Sequence, residues 1–172
     1  ANIRPMNDAV RPALSAPSID AAADLPPGRL DTRFLESLIG YNARRAALTM
    51  IGHALQRLAP YGLRVVDFSV LTVIAHNPGV TSRQVCAALD ILPPNLVGLL
   101  RGLEQRGWVE KREHPTDRRA QGLYVTPAGA EVQARAQADI AAVEHGPLTH
   151  LDADERTTLI RLLRKVYQGP QA

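Results

Sequence analysis

The sequence has little of several residue types, and each shortage excludes a class of protein. Its 172 residues include one cysteine, Cys86, so no disulfide can form within the chain, and a reducing compartment is favoured. Aromatic residues make up only 4% of the chain. Alanine, leucine and valine are common instead, which favours helices over a β-sandwich. The formal net charge of +3 permits a nucleic-acid partner without requiring one.

Long apolar runs are also missing. No run approaches the roughly 18–20 residues that a membrane-spanning helix needs, and the first twenty residues have no apolar core like that of a signal peptide. We therefore expect a cytoplasmic protein with no membrane contact. Residues 1–30 combine five prolines and seven alanines with no helical or strand period, which predicts a disordered N-terminal arm.

The patterns that accompany catalysis or metal binding are absent as well. The chain has no glycine-rich phosphate loop and no nucleophile elbow, so it is not expected to be an enzyme. Its five histidines are scattered without the close spacing of metal ligands, so neither a metal nor a cofactor is expected.

Helical periodicity accounts for most of residues 31–172, which we interpret as a single domain. The apolar pattern predicts a long helix over residues 32–59 and a short, very apolar one over 65–75. Thr81 and Gln84 have the spacing of a capping box, which predicts a brief helix that ends near Ala88. Pro93 suits the first position of the next helix, whose leucines recur with helical spacing. This buried stripe comprises Leu96, Leu99, Leu100 and Leu103.

The period then changes to that of strands. Residues 108–113 and 121–126 read as two short strands joined by a polar tip, HPTDRR. A helix is predicted from Pro127, and Asp152 with Glu155 caps the last one. The fold is thus expected to be mainly α with a small β-hairpin wing. Two short helices followed by a basic-tipped hairpin make a winged helix–turn–helix (residues 63–126).

This arrangement suits double-stranded DNA. An α-helix fits the major groove of B-DNA, and a hairpin tip that carries Arg118 and Arg119 can reach the flanking minor groove or its phosphates.

The stretch from Leu92 to Gly129 resembles the signature of the MarR family of regulators. The matching residues, in order and spacing, are Leu103, Glu104, Gly107, Asp117, Arg119, Val125, Thr126 and Gly129. The resemblance implies a homodimer held by residues 31–62 and 127–168. It also implies sequence-specific binding to a palindromic operator, repression, and release by a small effector.

Carried onto this chain, the resemblance implies the residues that contact DNA. Asp117 would pair with Arg119 and hold the wing, while Arg118 or Arg119 contacts DNA. The remaining expected contacts are Ser82, Arg83, Pro94, Asn95, Gly98 and Arg101. The chain departs from the family at Leu92, where a polar helix cap is usual. Part of the specificity is therefore expected from DNA shape. Asn95 could read adenine directly, contact a phosphate instead, or be a helix-start residue with no ligand.

The resemblance also implies an effector cleft beside the long helix. Cations at Arg44, Arg45 and His53 favour an anionic effector, such as an aromatic acid or an acyl-CoA, although ordinary ion pairs would explain them too. Its apolar part would pack near Tyr41, Leu48 and Phe68.

Other interpretations stay open at this stage. Trp108 is expected to pack at the base of the wing rather than stack on a base. Cys86 is expected to be structural rather than a redox sensor. The alternative function is a winged helix that binds protein instead of an operator. The basic wing tip argues against it.

Overall fold

The computed structural model describes residues 30–113, 121–143 and 148–168. The chain divides into two compact units, residues 1–47 and 48–172, so the boundary falls inside a helix. The described part of the first unit contains α1 (Arg33–Glu36) and the beginning of α2 (Ile39–Leu58). The expected N-terminal arm lies outside the described residues apart from Leu30. The predicted division into dimerisation and DNA-binding regions remains a prediction.

The single helix predicted over residues 32–59 is wrong, because the chain breaks at Ser37 and Leu38. The Ser37 hydroxyl donates to the Phe34 carbonyl at 2.7 Å. The Asn42 amide donates to the carbonyls of Glu36 (2.7 Å) and Leu38 (2.9 Å). These side-chain bonds satisfy backbone groups that would otherwise continue the helix, as serine and asparagine often do.

The second unit contains the other elements. After α2 ends, a 3₁₀ turn (Ala59–Tyr61) leads to Gly62, whose φ of 60° lies in the left-handed region that glycine favours. The helices that follow are α3 (Val65–His76), α4 (Ser82–Leu89), α5 (Pro93–Gln105), α6 (Pro127–Val143) and α7 (Ala153–Gln168).

The second unit also contains a three-stranded antiparallel sheet. Two of its strands follow one another between α5 and α6, and the third comes before α4 in the chain. Its strands are β1 (Val80–Thr81), β2 (Val109–Glu113) and β3 (Gln121–Val125), in the order β1-β3-β2. The hairpin of β2 and β3 confirms the predicted wing strands. The two-residue strand β1 was not predicted. It pairs Val80 with Leu123 and Thr81 with Gly122.

The core of the second unit brings the helix–turn–helix and the sheet together. The leucines of α5 pack against α3 and against the sheet. Val70, Leu71 and Ile74 of α3 and Leu123 of β3 are fully buried there. The predicted leucine stripe is confirmed, because each of its four members is buried. Burial of such side chains is the main stabilising contribution to folding.

The last helix has a different environment within this single chain. Its predicted capping box is confirmed, since Asp152 Oδ1 accepts from the backbone of Glu155 and Glu155 Oε2 accepts from the backbone of Asp152. The helical spacing of Leu159, Leu162, Leu163 and Val166 predicts a buried stripe, but these side chains are exposed in the single chain. In the chain regions that the structure describes, no single helix is long and apolar enough to cross a membrane.

Candidate nucleic-acid interface

Helices α4 and α5 form the helix–turn–helix. The chain bends by 113° between them, within the range of about 90–120° that this motif uses. Asp90 makes the turn possible by adopting a left-handed conformation, with φ of 51° and ψ of 45°, which aspartate tolerates better than most residues. The backbone N–H groups of Asp90 and Ile91 both donate to the Cys86 carbonyl and close α4.

The start of α4 is fixed by the predicted capping box. The Thr81 hydroxyl accepts from the Gln84 backbone at 3.3 Å, and the Gln84 amide oxygen accepts from the Thr81 backbone at 2.9 Å. Ser82 and Arg83, the first two residues of α4, are exposed. The cap therefore presents both predicted contact residues to solvent at a fixed helix end.

Helix α5 has two faces of opposite character. The leucine stripe is buried, with exposures between 1% and 8%, so the helix cannot rotate without exposing it. The face that this stripe leaves outward is exposed at every predicted contact residue: Pro94, Asn95, Gly98 and Arg101. Buried leucines thus fix which side chains α5 can present to a ligand.

Two of the outward side chains carry unused hydrogen-bonding groups. Within the residues that the structure describes, the side chains of Asn95 and Arg101 on α5 have no hydrogen-bond or ion-pair partner, and neither do those of Ser82 and Arg83 on α4. Amide and guanidinium groups are the donors that read base edges and phosphates. The outward surface is therefore chemically competent to bind nucleic acid.

The N-terminus of α5 differs from that of α4. Its N-cap residue, Leu92, provides no side-chain hydrogen bond, as the sequence predicted. Pro93 and Pro94 occupy the first two helical positions and have no backbone N–H. The prolines remove two of the four donors that a helix start normally leaves unpaired, so the missing cap costs less. They also leave fewer N–H groups to bind a phosphate at this end.

The C-terminus of α5 is anchored by Arg106, a role that the sequence did not reveal. Its guanidinium donates to the carbonyls of Gly62 (2.9 Å) and Tyr61, and its centre lies 3.6 Å from the centroid of the Trp108 ring. The predicted packing role of Trp108 is confirmed, because its ring lies against the core as well. These contacts join the end of the outward-facing helix to the 3₁₀ turn that follows α2.

The base of the wing is closed by one threonine and one glycine. The Thr126 hydroxyl donates to the Gly107 carbonyl at 2.6 Å and accepts from the Gly129 backbone at 3.0 Å. A Cβ atom on Gly129 would lie 2.0 Å from the Trp108 carbonyl oxygen. Gly129 therefore lets the first turn of α6 approach the start of the hairpin, which gives a physical reason for a glycine at this motif position.

The predicted wing-tip residues Asp117, Arg118 and Arg119 lie outside the described residues. The adjoining strand β2 is described, and its charges are partly paired. Lys111 forms an ion pair with Glu104 of α5 at 2.7 Å, and Arg112 pairs with Glu110. The Arg112 guanidinium also lies 5.0 Å from the Tyr124 ring. The roles predicted for the tip remain predictions.

The predicted effector residues fall in both units. In the first unit, Tyr41 is half-buried, while Arg44 and Arg45 are exposed and Arg45 has an interaction partner. In the second unit, Leu48 is 53% exposed and His53 and Phe68 are half-buried, with Phe68 packed against the core. Whether these six side chains form one site remains a prediction.

Two polar contacts of the second unit join residues that the sequence did not connect. The Tyr61 hydroxyl donates to Asp139 of α6 at 2.6 Å, and this bond, with burial, raises the pKa of Tyr61. At the start of α3, the Arg64 guanidinium makes hydrogen bonds of 2.8 Å and 2.9 Å to Asp67. The Arg64–Asp67 pair could have been found from the sequence, because the two residues are three positions apart in one helix start. The Tyr61–Asp139 pair could not, because its residues are 78 positions apart.

Other predicted site features have simpler outcomes. Cys86 is half-buried and packs against the core, in agreement with a structural role. Within the described ranges, no group of three or more histidine, cysteine, aspartate or glutamate residues could hold a metal ion.

Comparisons with known proteins identify relatives among bacterial transcriptional regulators. A family model described as MarR family matches residues 61–120. A putative transcriptional regulatory protein for the hcr operon of Thauera aromatica is 33% identical over 59% of this chain, and the match spans 61% of that protein. The multiple antibiotic resistance protein MarR of Escherichia coli is 31% identical over 63% of this chain and 76% of its own length.

Solved structures agree with these sequence matches. The transcriptional repressor CouR bound to a 23-mer DNA duplex is 34% identical, with a TM-score of 0.75 over 80% of this chain and 98% of that chain. CouR from Rhodococcus jostii RHA1 bound to p-coumaroyl-CoA is 28% identical, with a TM-score of 0.73 over 80% and 97%. These similarities extend over nearly the whole length of the solved chains, and the chain belongs to the MarR family of DNA-binding transcriptional regulators.

Proposed function

We propose that this protein is a transcriptional repressor that binds a palindromic double-stranded operator as a homodimer. It works in the cytoplasm and leaves the operator when it binds a small anionic effector. The observation that carries the proposal is the outward face of α5, where Asn95 and Arg101 are exposed and have no partner among the described residues, above a buried leucine stripe. The similarity to CouR, which is a repressor solved with DNA, supports a DNA-binding function.

The mechanism assigns a different task to each part of the interface. Helix α5 enters the major groove, where Asn95 can bond adenine and Arg101 can bond guanine or a phosphate. Ser82 and Arg83 at the start of α4 contact the backbone, which sets the register of α5 on the duplex. The wing, through Arg118 and Arg119, contacts the flanking minor groove. Pro94 and Gly98 allow close approach but offer no side-chain donor, so DNA shape contributes to specificity.

The effector acts by shifting a conformational population. A ligand that prefers the conformation with the wrong spacing of the two DNA-binding lobes lowers operator affinity, and DNA lowers ligand affinity by the same factor. CouR was solved with p-coumaroyl-CoA, an anionic thioester with an aromatic acyl group. We assign the same chemical class here, with Arg44 or Arg45 binding the anion.

Selection of duplexes from a random library with the full chain tests DNA binding. The expected product is a palindrome, and a footprint on it should show two protected half-sites about 10 base pairs apart. Enrichment of no sequence, or protection of a single half-site, would overturn the proposed function.

Release by an effector has a separate test. Aromatic acids and their coenzyme A thioesters are titrated against the protein bound to a fluorescent selected duplex. We expect a thioester to release the DNA, and we expect Arg44→Ala or Arg45→Ala to raise the concentration required. Release by a neutral compound, with both variants responding normally, would contradict the anionic assignment and leave DNA binding intact.

A further inference from the structure

The outward surface of α5 is not entirely polar. Val97 is 58% exposed and Leu92, at the N-cap, is 70% exposed. Isolated exposed apolar residues are ordinary on protein surfaces and need no explanation by themselves. Val97 differs in its position, since it lies on the one helix whose exposed face is proposed to enter DNA.

Fold stability gives little reason for valine at this position. Its side chain lies outside the leucine stripe and gains little from burial at 58% exposure. A β-branched residue also has a lower helix propensity than alanine, leucine or lysine. Val97 therefore adds little to the core and slightly disfavours the helix that carries it.

The placement of Val97 within α5 suggests what it contacts. It lies one turn after Pro93 and one turn before Arg101, so these three residues follow one another along the same side of the helix. Arg101, at the end of this row, is exposed and has no partner among the described residues. The row thus presents an apolar segment followed by a cation.

The major groove of B-DNA presents one apolar group to such a surface, the 5-methyl group of thymine. Other base edges in this groove present hydrogen-bond donors and acceptors, which valine cannot satisfy. Burying those groups against valine would leave them unpaired, so Val97 discriminates against them as well as favouring thymine.

We propose that Val97 is a specificity-determining residue that contacts the 5-methyl group of a thymine in each half-site. This inference rests on the proposed function and adds a base preference that hydrogen bonding by Asn95 and Arg101 cannot supply.

Replacement of thymine by uracil tests the proposal, because it removes the methyl group and keeps every hydrogen-bonding atom. Each thymine of a selected duplex is replaced singly, and the dissociation constant is measured by fluorescence anisotropy with the full chain. At one thymine of each half-site, uracil should weaken binding about fourfold, the effect of burying one methyl-sized group. At the other thymines it should have little effect.

Three variants identify the residue responsible. Val97→Ala should bind thymine and uracil duplexes with nearly equal affinity, and Val97→Thr, which keeps one methyl group, should recover part of the preference. Leu92→Ala is the matched control, an exposed apolar residue at the same helix, and should keep the full preference.

Several results would overturn the assignment to Val97. They are a selected palindrome without thymine, equal binding of all uracil duplexes by the unmodified protein, and a thymine preference that survives in Val97→Ala. Failure to enrich any duplex would overturn the proposed function and this inference together. A palindrome that tolerates uracil everywhere would overturn this inference alone.

Discussion

Asp67 shows how one carboxyl at the start of α3 affects stability. It is 8% exposed, and its burial favours the neutral form. Burial raises the pKa of the Asp67 carboxyl, but hydrogen bonds from Arg64 and the charges of Arg64 and Arg106 outweigh this effect. The pKa therefore lies below its ordinary value of 3.8. The folded state holds the carboxylate more strongly than the unfolded chain does.

The resulting pH dependence is a prediction at the residue scale. Because the folded pKa is lowered, the stabilisation is complete above the unfolded value of 3.8 and is lost as pH falls through the lower folded value. Urea unfolding at pH 6 and pH 3 should show that Asp67→Asn costs more stability at pH 6 than at pH 3. An equal cost of Asp67→Asn at both pH values would contradict the account.

At the scale of elements, two glycines that both lie within helices differ in the space around them. Gly129, in the first turn of α6, has no room for a Cβ because the Trp108 carbonyl oxygen would lie 2.0 Å away. Gly98, in the middle of α5, has nothing within 4 Å of a Cβ. The same substitution should therefore change stability in opposite directions.

Alanine at each position tests this difference. Gly129→Ala should destabilise the protein by about 3 kcal/mol or more, because a backbone carbonyl must move to relieve the overlap. Gly98→Ala should stabilise it by about 0.5–1 kcal/mol, because alanine loses less backbone entropy in a helix. Urea midpoints of the two variants and the parent provide the comparison. A stabilising Gly129→Ala would show that α6 does not approach the hairpin as described.

Local signals predicted the elements of the helix–turn–helix well. The Thr81–Gln84 capping box, Pro93 at the first helical position and the spacing of the leucines all lie within a few residues of what they determine. Strand β1 was missed because two residues show no alternation, and it exists only through pairing with β3.

Contacts made by individual polar side chains could not be predicted in the same way. The break at Ser37 depends on which carbonyls Asn42 can reach, and the pattern of apolar residues does not contain that information. Arg106 bonds to carbonyls 44 and 45 residues away, so nothing in its own neighbourhood identifies them. The candidate DNA-contacting face was predictable because burial of one face of a helix determines the other.

At the scale of the whole molecule, α7 requires a partner for its apolar side. Leu159, Leu162, Leu163 and Val166 recur at helical spacing and are 39–72% exposed in the single chain. Exposed apolar patches of this kind mark protein interfaces. A closed twofold dimer, as the family forms, would bury the same stripe of both copies.

Light scattering at micromolar concentration should therefore report a dimer. Introducing charges by the double substitution Leu162→Asp and Val166→Asp should give a monomer, because unpaired carboxylates cannot be buried without a large cost. Thr157→Asp, on the polar side of the same helix, should leave the dimer intact. A parent protein that is monomeric, or a double variant that remains fully dimeric, would contradict this assignment of α7.

Binding of DNA by the outward face of α5 is tested most directly at Arg101. Anisotropy titrations of a selected duplex, at several salt concentrations, compare Arg101→Ala with Arg135→Ala. The second variant removes the same charge from an exposed position on α6. Arg101→Ala should weaken binding about tenfold, and if Arg101 neutralises a phosphate, the slope of log K against log salt should flatten by about 0.9. Arg135→Ala should bind within about twofold of the parent. Equal effects of the two substitutions, or none from Arg101→Ala, would contradict the account.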